Sequence, residues 1–394
     1  EWHGTHVSGI IAANGRHTGI APGASIAALK VLDNSGNGTF EDVRDALDWV
    51  IANQTVHNIT VVNLSLGDGG NYTSMGMDAI GTRISTLRAA GVAVCAAAGN
   101  DFYFWNSAQG MNYPAVFPAT VSVGAVFDAN IGWVGYGGGA VANTTGPDRI
   151  CPFSQRLHES VSASARTDIF APGAAITSSG ITGDNSSAVS HGTSQATPVI
   201  AGVILLLQDY YQRVTGNLPT VNQLENWLRA GAVTINDGDD ENDNVHNTGL
   251  NFRRVDALAA LQAAEQEVGA TYSVSGTVTE NGAGLANVTV TAGVRSATTN
   301  AAGQYTLTGL APGTYTVQPS RAGYTFSPAS RSVTVGPNRT GIDFTATATG
   351  PSTFTISGTV RAGNGSGIGA VTVQAGAAST VTNASGEYTL TGLV

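Results

Sequence analysis

Ser194 lies in the stretch HGTSQATPVIAG (residues 191–202), between a Gly-Thr pair and an apolar run that continues through Leu205, Leu206 and Leu207. That run predicts a long helix with Ser194 in its first turn. A serine hydroxyl is protonated at neutral pH and is a poor nucleophile. It needs a base within hydrogen-bond reach and donors placed where an oxyanion will form. The first turn of a helix offers both unpaired backbone N–H groups and the favourable end of the dipole. Gly192 would let the backbone come close to a bound molecule. Pro198 is expected to fall where its missing N–H matters little. The structural alternative is that Thr-Ser is an ordinary helix cap.

The base is sought in HGTHVSGIIAANG (3–15), where two histidines flank Gly-Thr ahead of Val7, Ile10 and Ile11. His3 stands at the start of the expected helix. His6, one turn later, reads as a packed, hydrogen-bonded histidine. The pair lacks a third ligand at a metal-binding spacing. His191, three residues before Ser194, cannot aim its imidazole at the hydroxyl across a tight turn.

These groups need a scaffold, and the chain changes texture once along its length. Up to about residue 268, short apolar runs alternate with amphipathic helices. The runs IAALKVLD (26–33), TVVNLSL (60–66), GVAVCAAAGN (91–100) and ATVSVGAV (119–126) are continuous rather than alternating, which suits strands covered on both faces. Between the first two, TFEDVRDALDWVIAN (39–53) gathers Phe40, Val43, Leu47, Val50 and Ile51 on one helical face. Thr39 is its cap, with Asp42 three residues on. Alternation of this kind predicts an α/β fold with a doubly wound, mostly parallel sheet, whose sites form at the carboxyl ends of strands.

From Thr271 onward, Val, Tyr and Leu alternate with Ser and Thr between Gly, Pro and Asn turns, the pattern of an all-β sandwich. The string SGTV…VTV…TNAAGQYTLTGL starting at Ser275 returns as SGTV…VTV…TNASGEYTLTGL starting at Ser357. The expected division is therefore 1–268, 272–347 and an incomplete second copy at 354–394, with TATGPST (347–353) as linker. The chain starts inside a motif and stops inside a repeat, so it is expected to be a piece of a longer protein.

Composition narrows the classes. Apolar residues make up 42% of the 394, enough for a packed core, while charged residues are only 11%. The 17 basic residues include one lysine, Lys30, and the net charge is −10, so no basic stripe is present to neutralise phosphates and nucleic-acid binding is not expected. The longest apolar runs fall short of a membrane span. Cys95 and Cys151 could form at most one bridge, and a free buried thiol is the other reading for Cys95. The acidic, lysine-poor, Thr/Gly-rich composition points to a secreted bacterial protein. The loop NDGDDENDN (236–244) could hold a structural calcium, but it lacks the glycine and glutamate spacing of an EF-hand and reads as a solvated acidic loop. Residues 127–165 read as an elongated Gly-rich surface loop.

Seven segments occur in one order: HGTHVSG, LKVLDNSGNGTFEDVRDALDWV, VVNLSLG, AAAGN, YPAVFPATVSVGA, DIFAPG and GTSQATPVIAG. In that order the chain resembles the subtilisin-like serine proteases over nearly all of residues 1–265. The repeats resemble carboxypeptidase-regulatory-like, transthyretin-like β-sandwich modules. The first resemblance implies a secreted serine endopeptidase needing no cofactor for its chemistry, with His3 as general base and Ser194 as nucleophile. Asn100 would join the Ser194 N–H as oxyanion donor, where loss of such a donor costs about 10²–10³-fold in turnover. Gly36, Asn37 and Gly38 on one side, and Ser65, Leu66 and Gly67 on the other, would pair with an extended peptide substrate. Ala97, Ala98 and Gly99 would line a roomy, mostly apolar specificity pocket. The β modules would be spacers or contacts to surface or extracellular partners.

Two departures stand out. The family's triad aspartate precedes its histidine motif, and no aspartate precedes His3 here; loss of that carboxylate costs about 10⁴-fold, so the chain as written is expected to be nearly inactive. Trp2 stands where the family has glycine. The rival reading is a catalytically dead surface or binding protein keeping the fold. A lipase or esterase is disfavoured, because Gly192-Thr193-Ser194-Gln195-Ala196 is not the Gly-x-Ser-x-Gly elbow and His3 precedes the serine.

Overall fold

The computed structural model describes residues 2–183, 185–238, 240–269, 271–350 and 353–394. Asp239 of the acidic loop and Pro351 and Ser352 of the expected linker lie outside the described residues. The chain divides into two compact units, 1–269 and 270–394.

The first unit contains helices α1 (Trp2–Ala12), α2 (Phe40–Asn53), α3 (Ala79–Ala89), α4 (Thr193–Thr215), α5 (Val221–Ala230) and α6 (Ala257–Gly269). Its strands are β1 (Val61–Leu64), β2 (Ala93–Ala97), β3 (Val121–Val126), β4 (Val134–Gly135), β5 (Val141–Thr144), β6 (Ile169–Pro172), β7 (Ile176–Ser179), β8 (Ser187–Ser190), β9 (Val233–Asn236), β10 (Asn242–Asp243) and β11 (Asn251–Arg254). The central sheet runs β1-β2-β3-β6-β11-β9, parallel until β9 closes the far edge antiparallel to β11.

Strand β2 shows why its run is continuously apolar. Ala93 and Cys95 face a core containing Ile200, Ile204 and Leu207 of α4, whereas Val94 and Ala96 face Leu47 of α2 and Ile84 and Leu87 of α3. Both faces are covered, so neither position tolerates a polar residue. Helix α2 starts as expected, with Thr39 and Asp42 forming a reciprocal capping box that satisfies two otherwise orphaned N–H groups. Both cysteines are buried and free.

Three expectations are corrected. Residues 26–31 form no strand: the segment has no ladder partner beside it, and Ile26 (44%) and Leu29 (38%) are exposed. An apolar run becomes a strand only where another strand takes up its backbone groups. Residues 127–165 are more than a surface loop. Strands β4 and β5 form a hairpin that β10 joins, and Ile150 through Leu157 are buried. The acidic loop is not simply solvated, because Asp237 is fully buried against an equally buried Arg156, at 2.9 Å. A carboxylate can leave water when a guanidinium meets it.

The second unit is all-β. Residues 272–347 build two facing sheets around Val274, Val278, Val290, Leu307, Val317 and Phe344. One strand pair is parallel, Val278 opposite Phe344, and the rest are antiparallel. The returning repeat makes the hairpins Phe354–Thr359 with Glu387–Leu393 and Thr372–Ala375 with Ala378–Val381. None of the helices among the described residues is long and apolar enough to cross a membrane.

Candidate active site

The helix carrying Ser194 begins abruptly because Gly192 precedes it at φ 148°, a conformation rarely open to L side chains. A Cβ on Gly192 would also lie 3.0 Å from Gln195 Oε1 and 3.4 Å from Asn100 Nδ2. Thr193, the first helical residue, is fastened to the end of β2. Its N–H and its Oγ1 donate to Asn100 Oδ1 at 2.8 and 3.0 Å, and its Oγ1 accepts from the Gly99 N–H at 3.2 Å. Asn100 is thereby oriented: its carbonyl oxygen is spent on Thr193, and its exposed amide nitrogen has no partner among the described residues. The Ser194 N–H, lying ahead of the first intrahelical bonds, has none either. Two unspent donors thus flank the serine.

Ser194 is fixed from the opposite side by β1. The Ser65 hydroxyl donates to the Ser194 carbonyl at 2.8 Å, and Ser194 Oγ donates to the Ser65 carbonyl at 3.4 Å. Pro198 explains the first contact. It sits inside the helix, not at the free first turn as the sequence suggested, and the amide it lacks is the one that would have bonded Ser194 O. Ser65 supplies the missing donor.

His3, half-buried, is in the first turn of α1, a helix that packs along α4 and against β7. Among the described residues no hydrogen bond joins its ring to Ser194 or to a carboxylate. Burial, then the neighbouring His6, lower its pKa below the usual 6.5, keeping the imidazole neutral and able to accept a proton. His6 is fully buried, its Nε2 3.1 Å from the Ile176 carbonyl and 3.2 Å from that of Ala188, the structural role anticipated for it. His191 spends Nδ1 accepting from the Ala175 N–H at 2.9 Å, with Tyr136 edge-on to its ring. That nitrogen cannot also serve as a base.

The peptide-pairing candidates fall in two places. Ser65, Leu66 and Gly67 follow the end of β1, the last strand of the order on that side, and Ala97, Ala98 and Gly99 leave the end of β2 beside Thr193. Gly36, Asn37 and Gly38 form an exposed turn held by Asp33, whose Oδ1 accepts from the Ser35 and Asn37 N–H groups. Sequence reading missed Asn112 and Gln155, which pack beneath Gly67 and Gly99. Both are distant along the chain from the segments they support, and no local pattern marks them. The acidic loop's carboxylates are engaged with protein donors: Asp237 with Arg156, Asp240 with Arg149, and Glu241 with the Ile150 and Gly238 N–H groups. Among the described residues no group of three or more metal-ligating side chains is assembled.

Known proteins resemble this chain. The chain is 35% identical over 208 residues to subtilisin E of Bacillus subtilis, covering 52% of this chain and 45% of that one. It is 33% identical over 213 residues to the extracellular serine proteinase of a Thermus species, covering 54% and 42%. The chain therefore spans less than half the length of these two curated relatives. The solved structure of the prenylagaramide maturation protease PagA superposes with a TM-score of 0.51 at 25% identity, over 66% of this chain and 82% of that one. Residues 273–347 match the carboxypeptidase regulatory-like domain. Residues 1–254 match the subtilase pattern throughout, and on that match the chain belongs to the subtilase family of serine peptidases.

Proposed function

We propose that the protein is a secreted serine endopeptidase in which Ser194 is the nucleophile and His3 the general base. The observation that carries this reading is the pair of unspent donors, Ser194 N–H and Asn100 Nδ2, held beside a serine at a helix N-terminus. As Ser194 Oγ bonds to the peptide carbonyl carbon, its proton passes to His3. The negative oxygen that develops is received by the two N–H groups. Collapse breaks the C–N bond as His3 returns the proton to the departing amine, and water hydrolyses the acyl-enzyme by the same route. The substrate would lie extended against 65–67 and 36–38.

The carboxylate that would orient His3 is not drawn from Asp33 or Asp101. Asp33 is occupied in its own turn, and burial raises the pKa of Asp101 above that of an ordinary carboxyl. The relatives' extracellular character and the β modules support action outside the cell, the modules serving as spacers or contacts to surface partners. The absence of a carboxylate on His3 among the described residues favours one rival, a subtilase fold retained for binding. Labelling with a fluorophosphonate, with hydrolysis of unfolded casein, separates the two. The endopeptidase reading expects both in the protein as its gene encodes it and neither in Ser194→Ala; a labelled, hydrolytic Ser194→Ala protein would overturn it.

A further inference from the structure

Resting on the endopeptidase reading, we propose that Asn112 closes the specificity pocket and restricts cleavage to follow small side chains such as Gly, Ala or Ser. The Asn112 N–H donates to the Ala98 carbonyl at 2.7 Å, which roots the residue on the 97–99 wall. Its Cβ lies 3.1 Å from where a Cβ on Gly99 would be, and its amide abuts the Cα of Gly67 on the opposite wall. One side chain therefore reaches across the slot. Gln155 backs it: its N–H donates to the Gly99 carbonyl at 2.9 Å, and its Oε1 packs onto Gly99 while Nε2 donates to Gly70 O and Asn71 Oδ1. Glycine at 67 and 99 is what makes room for the two amides. The pocket that small-residue walls suggested is in fact floored, and a methyl or hydroxymethyl stops above the bar while a phenyl or isobutyl collides with it.

Asn112 is buried, and its Oδ1 has no hydrogen-bond partner among the described residues. Packing alone holds the side chain in place, so truncation removes the bar without breaking a hydrogen bond. The experiment compares internally quenched peptides differing only at the residue that donates the scissile carbonyl, with the protein as encoded and its Asn112→Ala variant. The native protein should cleave after Ala at least about 10-fold more efficiently in kcat/KM than after Phe, and Asn112→Ala should reverse that preference by about 10-fold or more. A native preference for Phe overturns the proposal, as does an unchanged preference in a variant that labels normally at Ser194. Asn112→Ser provides the same reading if the alanine variant does not fold. If the native protein fails to label at all, the endopeptidase reading itself falls and takes this inference with it.

Discussion

The two halves of the site are built differently. On the serine half, each group is fastened across the sequence: Thr193 to Asn100, Ser194 to Ser65, and Gly99 to Thr193. On the histidine half, His6 is locked by two carbonyls, whereas among the described residues His3 makes no ring hydrogen bond and is placed by the packing of its helix and the edge-on ring of Trp2. On the proposed mechanism the two donors beside Ser194 are set before substrate arrives, where preorganisation contributes most. On the same proposal His3, whose ring makes no hydrogen bond among the described residues, keeps its nitrogens open for a nucleophile's proton and for a carboxylate. A rigid receiver and a lightly held shuttle suit groups that respectively stay still and exchange protons.

The sharpest way to break this contrast is to delete one member of each half. In the protein as its gene encodes it, with a complete triad, Ser194→Ala and His3→Ala should each lower kcat by about 10⁶-fold, a magnitude taken from subtilisin. If His3→Ala costs far less than Ser194→Ala in steady-state kinetics, the histidine half is not part of the machinery. Next in size is the buried Arg156–Asp237 pair, whose arginine follows Gln155 in the chain. Arg156→Met should destabilise the first unit by about 3–5 kcal/mol in denaturant unfolding, because it strands a buried carboxylate. Adding Asp237→Leu should restore most of that loss.

Asn100→Ala should lower kcat by about 10²–10³-fold with KM nearly unchanged, the signature of a contact made in the transition state. Thr193→Val removes the hydroxyl that helps hold Asn100 and accepts the Gly99 N–H, and should cost about 1 kcal/mol, or roughly 5-fold in kcat. The smallest effect is on pH dependence. Burial lowers the pKa of His3, His6 and His191 below 6.5. Below that pH the unfolded chain binds more protons than the folded one. Stability is therefore full above pH 6.5 and falls as pH drops from there toward the folded values. The acid limb of kcat/KM should likewise lie below pH 6.5.

A second comparison shows how pattern and burial separate. In the first β module Val274 is fully buried, whereas Ile356, at the matching place in the returning repeat, is 48% exposed. Both sit in the same kind of hairpin, pairing with Leu307 and Leu390. The strands that cover Val274 have no counterpart within 354–394. The same dependence explains residues 26–31, which have the composition of a strand and no neighbour to pair with.

Local order was legible in the residues themselves: the capping box at Thr39 and Asp42, the doubly covered run of β2, the helix after Gly192 and the repeat. Each depends on groups within a turn or two, or on the solvent exposure of a periodic face. What closure alone decided are the partners 93 and 129 residues away that aim Asn100 and tie Ser194. The same holds for the guanidinium that allows Asp237 out of water and for the amide lying across the pocket. Hydrogen-bond satisfaction and steric fit depend on which atoms meet in space, and spacing along a chain does not determine that.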